Sequence, residues 1–230
     1  YRVGVIDVGF APHEDLDLQT KGSVDNDDHG NHVAGIICAR HNGIGVKGVV
    51  PNCTTVAAVS GFTAAAADPA ESKAVGIFVL VSDLLRAILV FIAENPDVKV
   101  INLSLGYNWG PNYRLNPADA DYRVERDMMR MLGIMFLGVL EVARRQDIVI
   151  VSAAGNDSTD RNPPVPAKWG SPFNWAALHM SEQDGWSNGI VVEAHDSGGR
   201  RAAFSNAGGH VSAPGVDIRS LLATSRSAYG

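Results

Sequence analysis

Three short stretches of the chain carry residue types suited to attack on a carbonyl. The first is Asp28-His29-Gly30-Asn31-His32-Val33-Ala34-Gly35-Ile36. It reads as the opening of a helix, with Asp28 as candidate N-cap and small and apolar residues after it. His29 then falls in the first turn, at a rim. His32 lies three residues on, on the same face and one turn deeper. Gly30 and Gly35 weaken a helix, so their presence predicts close approach of another backbone. The second stretch is the apolar run Val3-Gly4-Val5-Ile6, which ends in the carboxylate of Asp7. The third is Asn156, just past the β-rich run Ile148 to Ala153. A hydroxyl becomes a nucleophile when a base takes its proton, and histidine does this near neutral pH. A buried carboxylate holds the imidazole in the correct tautomer and steadies the imidazolium that forms. A side-chain amide donates to the resulting oxyanion. Asp7, His29 and Asn156 supply these parts. Without that chemistry, Asp7 caps a strand and Asn156 is ordinary turn chemistry.

These residues need elements to hold them. Arg2 to Ile6 predicts a buried strand with Asp7 at its C-terminal tip, the end at which open α/β sheets keep their chemistry. Gly9, Pro12 and the acidic run Glu14-Asp15-Leu16-Asp17 follow as a loop. Further strands are expected at Thr54 to Val59, Val98 to Leu103, Ile148 to Ala153 and Ile190 to Ala194. Trp175-Ala176-Ala177-Leu178 reads as another sheet edge. The longest apolar run, Ala74 to Ala93, holds Ser82, Asp83 and Arg86. It predicts a strand end or loop leading into a helix over Asp83 to Glu94 rather than a membrane span. Leu84, Leu85, Ile88, Leu89 and Ile92 form the face that helix buries, and Asn95-Pro96 ends it. Tyr122 to Gln146 predicts one long helix or two shorter ones, with Gly133 and Gly138 as weak points. Strand and helix in alternation give a βαβ rhythm. The expected fold class is therefore α/β, three-layered, with a mostly parallel sheet and helices on both faces.

With 230 residues and 46% hydrophobic composition, the chain suits one domain with a sizeable core. No repeat, linker or low-complexity tail divides it. The net charge is −6 and no basic run stands out, which argues against a nucleic-acid partner. Cys38 and Cys53 are compatible with one disulfide or with two buried thiols, so they do not fix the redox compartment. The sequence opens inside a strand with no signal peptide, as expected of a mature or trimmed domain.

The block His29-Gly30-Asn31-His32-Val33-Ala34-Gly35 resembles the histidine motif of the subtilisin-like serine proteases, the subtilases, usually His-Gly-Thr-His-Val-Ala-Gly. It departs only at Asn31, where the motif has Thr. Val3 to Gly9 resembles the family's aspartate motif, a hydrophobic strand ending in Asp-Ser/Thr-Gly. Val8 replaces the hydroxyl residue, so a hydrogen bond at or near the aspartate is expected to be missing. Ala153-Ala154-Gly155-Asn156 resembles the oxyanion motif, and Ala213-Pro214-Gly215-Val216-Asp217-Ile218 resembles the approach to the nucleophile. The four motifs follow the family order from Val3 to Tyr229. The resemblance implies Asp7 and His29 as catalytic pair, with His29 rather than His32 as the base, and Asn156 as oxyanion donor. It implies that Ser104-Leu105-Gly106 pairs with the substrate's non-primed side, with Tyr107 at the pocket mouth. Ala153-Ala154-Gly155 would wall the first specificity pocket, with Pro166-Ala167 nearby. It further implies a peptide or protein substrate, a propeptide partner, secretion, and no cofactor for the chemistry. Structural calcium is common in the family, but no clear ligand set stands out. The connection after Gly106 is longer than the family pattern, which predicts an insertion at 107–134 that reshapes the cleft rim.

The nucleophile itself is not found. In the family, an Ala-Pro-Gly passage leads through a short loop and an aromatic residue to Gly-Thr-Ser-Met-Ala, whose serine opens a buried helix. Here Leu222-Ala223-Thr224-Ser225-Arg226-Ser227-Ala228-Tyr229-Gly230 closes the chain, and neither these serines nor Ser220 has that context. The expectation is a peptidase domain over 1–230 without its nucleophile helix, the serine lying a few residues beyond Gly230. A nucleophile at Ser225 or Ser227 would be poorly positioned near a chain end. Two other functions share these residues. A pseudoprotease would keep a peptide-binding groove and lack the serine. A metal-dependent hydrolase would use Asp7, His29 and His32 as ligands, although no glutamate base stands between the histidines.

Overall fold

A computed structural model of the chain describes residues 1–20, 27–59, 73–106, 123–159 and 163–230. The chain forms two compact units, Tyr1–Leu103 with Arg219–Gly230, and Ser104–Ile218.

In the first unit, strands β1 (Arg2–Asp7), β2 (Asp17–Thr20), β3 (Thr54–Val59) and β4 (Val100–Leu103) lie in the order β2-β3-β1-β4, all parallel. β1 is buried from Val3 to Asp7, as a continuous apolar run must be in a covered parallel sheet. The register sets Asp7 opposite Val59 at the C-terminal edge. β2 falls at the end of the stretch read as an acidic loop. It is a short edge strand with little buried surface, so it leaves no apolar pattern. Helix α1 (His29–Cys38) begins where the histidine block predicts. Helix α2 (Lys73–Glu94) takes in the whole apolar run, including the part read as strand or loop. A run that is apolar all round has no period to separate strand from buried helix. Val81, Leu84, Leu85, Ile88, Phe91 and Ile92 are buried, whereas Leu89, placed on the buried face from the sequence, is 40% exposed. Cys38 and Cys53 are both buried and joined by a disulfide, which ties the end of α1 to the residue before β3. They sit in a core with Val5, Phe10, Leu16, Ala34 and Leu221.

In the second unit, β5 (Val149–Ala153), β6 (Gly189–His195) and β7 (Val211–Pro214) run parallel in that order. Helix α3 (Arg123–Arg145) is continuous through Gly133 and Gly138 and buries Met129, Leu132, Phe136, Val139, Leu140 and Ala143. Of the expected insertion at 107–134, residues 107–122 lie outside the described residues, and the remainder is in α3. Trp175 to Leu178 is not a sheet edge: it lies inside helix α4 (Pro172–Asp184). The Ser171 hydroxyl accepts the Asn174 N–H as N-cap, proline takes the first turn, and Gly185 closes the helix at φ 73°. These end signals decide the element over the β propensity of one aromatic residue. Phe173 meets Phe136 of α3 edge-on, with ring centres 6.0 Å apart. No helix among the described residues is long and apolar enough to cross a membrane.

Candidate active site

The tip of β1 and the first turn of α1 bring Asp7 and His29 together. Asp7 is fully buried, and its Oδ1 accepts the Val8 N–H and the His29 ring Nδ1–H, each at 2.7 Å. An ionised carboxylate only accepts, so Nδ1 carries a proton, and in the neutral ring Nε2 keeps its lone pair. The His29 side chain is 49% exposed. The hydrogen bond to Asp7 raises the imidazole pKa above its ordinary value, against burial, which lowers it. Burial raises the Asp7 carboxyl above the usual range, against its hydrogen bonds to His29 and Val8. The second oxygen, Oδ2, is buried with no hydrogen-bond partner among the described residues. Val8, apolar where a hydroxyl was expected, has no side-chain donor to offer it.

The loop after Asp7 caps α1 with its own carbonyls. Gly30 N–H donates to Val8 O at 2.5 Å and Asn31 N–H to Gly9 O at 3.1 Å, which satisfies donors a helix start leaves open. A Cβ on Gly30 would stand 2.6 Å from Val8 O, and one on Gly35 would strike Ser220, so both glycines admit another segment. Asp28, the expected cap, makes no side-chain cap bond. Asp27 instead accepts the His29 N–H at 2.8 Å, and Asp28 accepts the N–H of Ala223. Asn31 is fully buried and clamps both backbone groups of Ala11, accepting its N–H at 3.1 Å and donating to its carbonyl at 3.0 Å. It also donates to Leu222 O at 3.3 Å. The segment from Ser220 to Gly230 folds back on itself. Ser220 N–H donates to Gly230 O at 2.7 Å, and Gly230 N–H donates to Ser220 O at 2.9 Å. The Ser220 hydroxyl is buried and donates to His32 O at 2.7 Å, while Ser225 accepts the Ser227 N–H. None of these serines is bonded to the His29 ring.

In the second unit, Asn156 is exposed on the bend after β5. Two asparagines that the sequence reading missed hold this strand end. Asn174 donates to Ala153 O at 2.9 Å and Ala167 O at 3.2 Å, and accepts the Ser152 hydroxyl at 2.8 Å. Asn206 bonds the stretch on either side of Asn156. Both are fully buried. A buried asparagine is forced to find partners, but its sequence context does not say which. Ser104, Leu105 and Gly106 follow β4, and Gly106 lies near the Gly170 carbonyl. Ala167 pairs with Ala207 through its N–H at 2.7 Å.

A model of the subtilase family matches residues 2–230. The chain belongs to the subtilase family. It is 28% identical to the minor extracellular protease Epr of Bacillus subtilis, an alignment covering all of this chain and 29% of Epr. It is 30% identical to subtilisin E of Bacillus subtilis, over 96% of this chain and 48% of that protein. The chain thus spans less than half the length of either relative. The MycP3 protease of the type VII (ESX-3) secretion system shares the fold with a TM-score of 0.65, at 22% identity, over 99% of this chain and 62% of that one. The nisin leader peptidase NisP of Lactococcus lactis does so at 0.55 and 21%, over 93% and 61%.

Within this subtilase fold, the metal-hydrolase reading loses its geometry. Asp7 and His29 bond each other, and with His32 they form no cluster fit to hold a metal ion. Among the described residues no group of three or more His, Cys, Asp or Glu side chains could hold a metal ion.

Proposed function

We propose that the full-length protein is a serine endopeptidase in which Asp7 and His29 act with a serine beyond Gly230. The observation that carries this reading is the 2.7 Å contact of a buried carboxylate with Nδ1 of a half-exposed imidazole. His29 Nε2 takes the serine hydroxyl proton as the oxygen bonds to the substrate carbonyl carbon. Asp7 steadies the imidazolium, and the Asn156 amide donates to the oxyanion. The imidazolium then protonates the leaving amine, and water repeats the sequence on the acyl-enzyme. Ser104-Leu105-Gly106 and Ala153-Ala154-Gly155 line the path of an extended peptide substrate. The docking of Gly230 beside Ser220, itself bonded to α1, supports the placement of the serine. The disulfide supports an oxidising, extracytoplasmic location.

The test is a fluorophosphonate probe on the full-length protein, followed by mapping of the labelled residue. Labelling of a serine beyond Gly230 that disappears in His29→Ala is the expected result. A folded full-length protein that takes no label would make this a peptide-binding pseudoprotease. Labelling at Ser225 or Ser227 would move the nucleophile into the present chain.

A further inference from the structure

We infer that Asn206 is a positioning residue for Asn156, holding the loop from Ala154 to Ser158 in the one shape that presents the oxyanion donor. The inference rests on the role proposed for Asn156. Asn206 lies between β6 and β7 and is fully buried. Its Nδ2 donates to Ala154 O at 3.1 Å and to Asp157 Oδ2 at 2.9 Å. Its Oδ1 accepts the Asp157 N–H at 3.0 Å and the Ser158 hydroxyl at 3.1 Å. Its own N–H donates to Gly155 O at 2.9 Å. These bonds fall on residues 154, 155, 157 and 158, and none falls on Asn156, which stays exposed between them.

The side chain uses its full capacity, two donors and two acceptor sites, on this one loop. Aspartate would set a second carboxylate against Asp157, and alanine would leave Ala154 O, the Asp157 N–H and the Ser158 hydroxyl without this partner in a buried site. Gly155 belongs to the same device. Its φ is 104°, and a Cβ there would stand 2.5 Å from Asn206 Nδ2, so a side chain at 155 would displace the amide. Ser158 extends the hold by accepting the Val165 N–H at 3.0 Å. An oxyanion donor is effective when it is already aimed before charge develops, and an exposed asparagine on a bend is aimed only as well as its flanks are fixed.

The experiment compares wild type, Asn206→Ala, Asn156→Ala and the double variant in the full-length protein. Hydrogen exchange of peptides covering 154–158 is read alongside kcat and KM on a peptide substrate. In Asn206→Ala, exchange at 154–158 should accelerate at least about tenfold while β5 keeps its protection, the size expected for lost buried hydrogen bonds. Then kcat should fall at least about tenfold with KM nearly unchanged, because the donor acts on the transition state. In the Asn156→Ala background, Asn206→Ala should cost kcat nothing further. Unchanged exchange at 154–158 overturns the inference whatever the activity. A kcat loss that persists in full without Asn156 also overturns it, since Asn206 would then act elsewhere. If Asn156→Ala alone leaves kcat intact, the oxyanion role fails, and the exchange result still decides separately whether Asn206 holds the loop. Should Asn206→Ala not fold, Ser158→Ala removes one bond of the set and must accelerate exchange in the same segment, or the inference falls.

Discussion

The two units hold their candidate catalytic residues by different chemistry. In the first, charge does the work: the Asp7 carboxylate orients His29, Asp27 holds the His29 N–H, and Asp28 reaches across to Ala223. In the second, neutral amides do it: Asn174 and Asn206 fix the end of β5 and the bend beyond it. The division matches the tasks proposed. A base must titrate, so it belongs beside carboxylates that set its proton affinity. A hydrogen-bond donor must keep its geometry while the base titrates, and the two amides that hold this loop carry no ionisable proton themselves, although Asn206 also donates to the Asp157 carboxylate. Asn31 shows that the first unit uses an amide too, but on backbone groups away from the reacting atoms.

The largest effect expected from this contrast is at the charged pair. Asp7→Asn keeps the shape but lets the ring lose its orienting acceptor, so kcat of the full-length protein should fall about 10⁴-fold. Asn156→Ala should cost about 10²- to 10³-fold, a range established for loss of one such donor in a subtilisin rather than dictated by this structure. Equal losses from both would erase the distinction between the halves. The next effect is on stability. The Cys38–Cys53 bridge closes a separation of 15 residues, and its replacement by Cys38→Ser with Cys53→Ser should cost about 3 kcal/mol on the chain-entropy account. Urea unfolding measures this. An unchanged midpoint would mean that the cross-link adds nothing to a unit already held by its core.

Much of the site was legible because its signals are local. Asp7 ends an apolar run, His29 opens a glycine-marked helix, and the family order of motifs links the two. Both residues meet as that reading required. The gap at Val8 was legible in the same way, and the unpartnered Asp7 Oδ2 is its counterpart. What was not legible depends on contacts far apart in sequence. Asn206 touches residues some fifty positions earlier, and no spacing rule announces that. Asp28 looks like a cap, yet its carboxylate goes to Ala223 on a distant segment. The fold shows the same split. Strands β1, β3, β5 and β6 carry clear apolar runs, whereas the edge strand β2 carries none. Helix α4 is marked at both ends by Ser171, Pro172 and Gly185, and this capping chemistry outweighs the short aromatic-led apolar run that reads as a sheet edge. The disulfide was left open by a count of two cysteines, since pairing is a matter of distance.

A smaller effect tests the one departure inside the histidine motif. Asn31→Thr exchanges an amide that spans both groups of Ala11 for a shorter hydroxyl with one donor. At least one buried backbone group then loses its partner, at a cost of about 1–3 kcal/mol. Thermal or urea unfolding reads the loss. Because Asn31 also donates to Leu222 O, hydrogen exchange should rise in the Ser220 to Gly230 segment before it rises in β1. A threonine variant as stable as wild type would show that the motif tolerates either residue and that the clamp is incidental.

The finest test separates the halves by pH. Asp7 raises the His29 pKa above 6.5, so the acid limb of kcat/KM should have its midpoint above that value. In the proposed mechanism the free base is the active form, and activity should therefore rise as pH climbs through the shifted pKa. Stability runs the other way. A folded-state pKa above the unfolded one means that the proton stabilises the native state. That contribution is complete below the ordinary histidine value and is lost as pH rises through the folded value. The charged pair thus helps the fold most where the base is switched off. Asp7→Asn should bring the midpoint down toward the ordinary value, because the main cause of the upward shift is gone. Asn156→Ala should lower the whole profile and leave its midpoint in place, since an amide donor has no proton to lose in this range. If the Asn156 variant moved the midpoint as far as the Asp7 variant does, the two sets of residues would act as one titrating system, and the separation of charge from amide geometry would not hold.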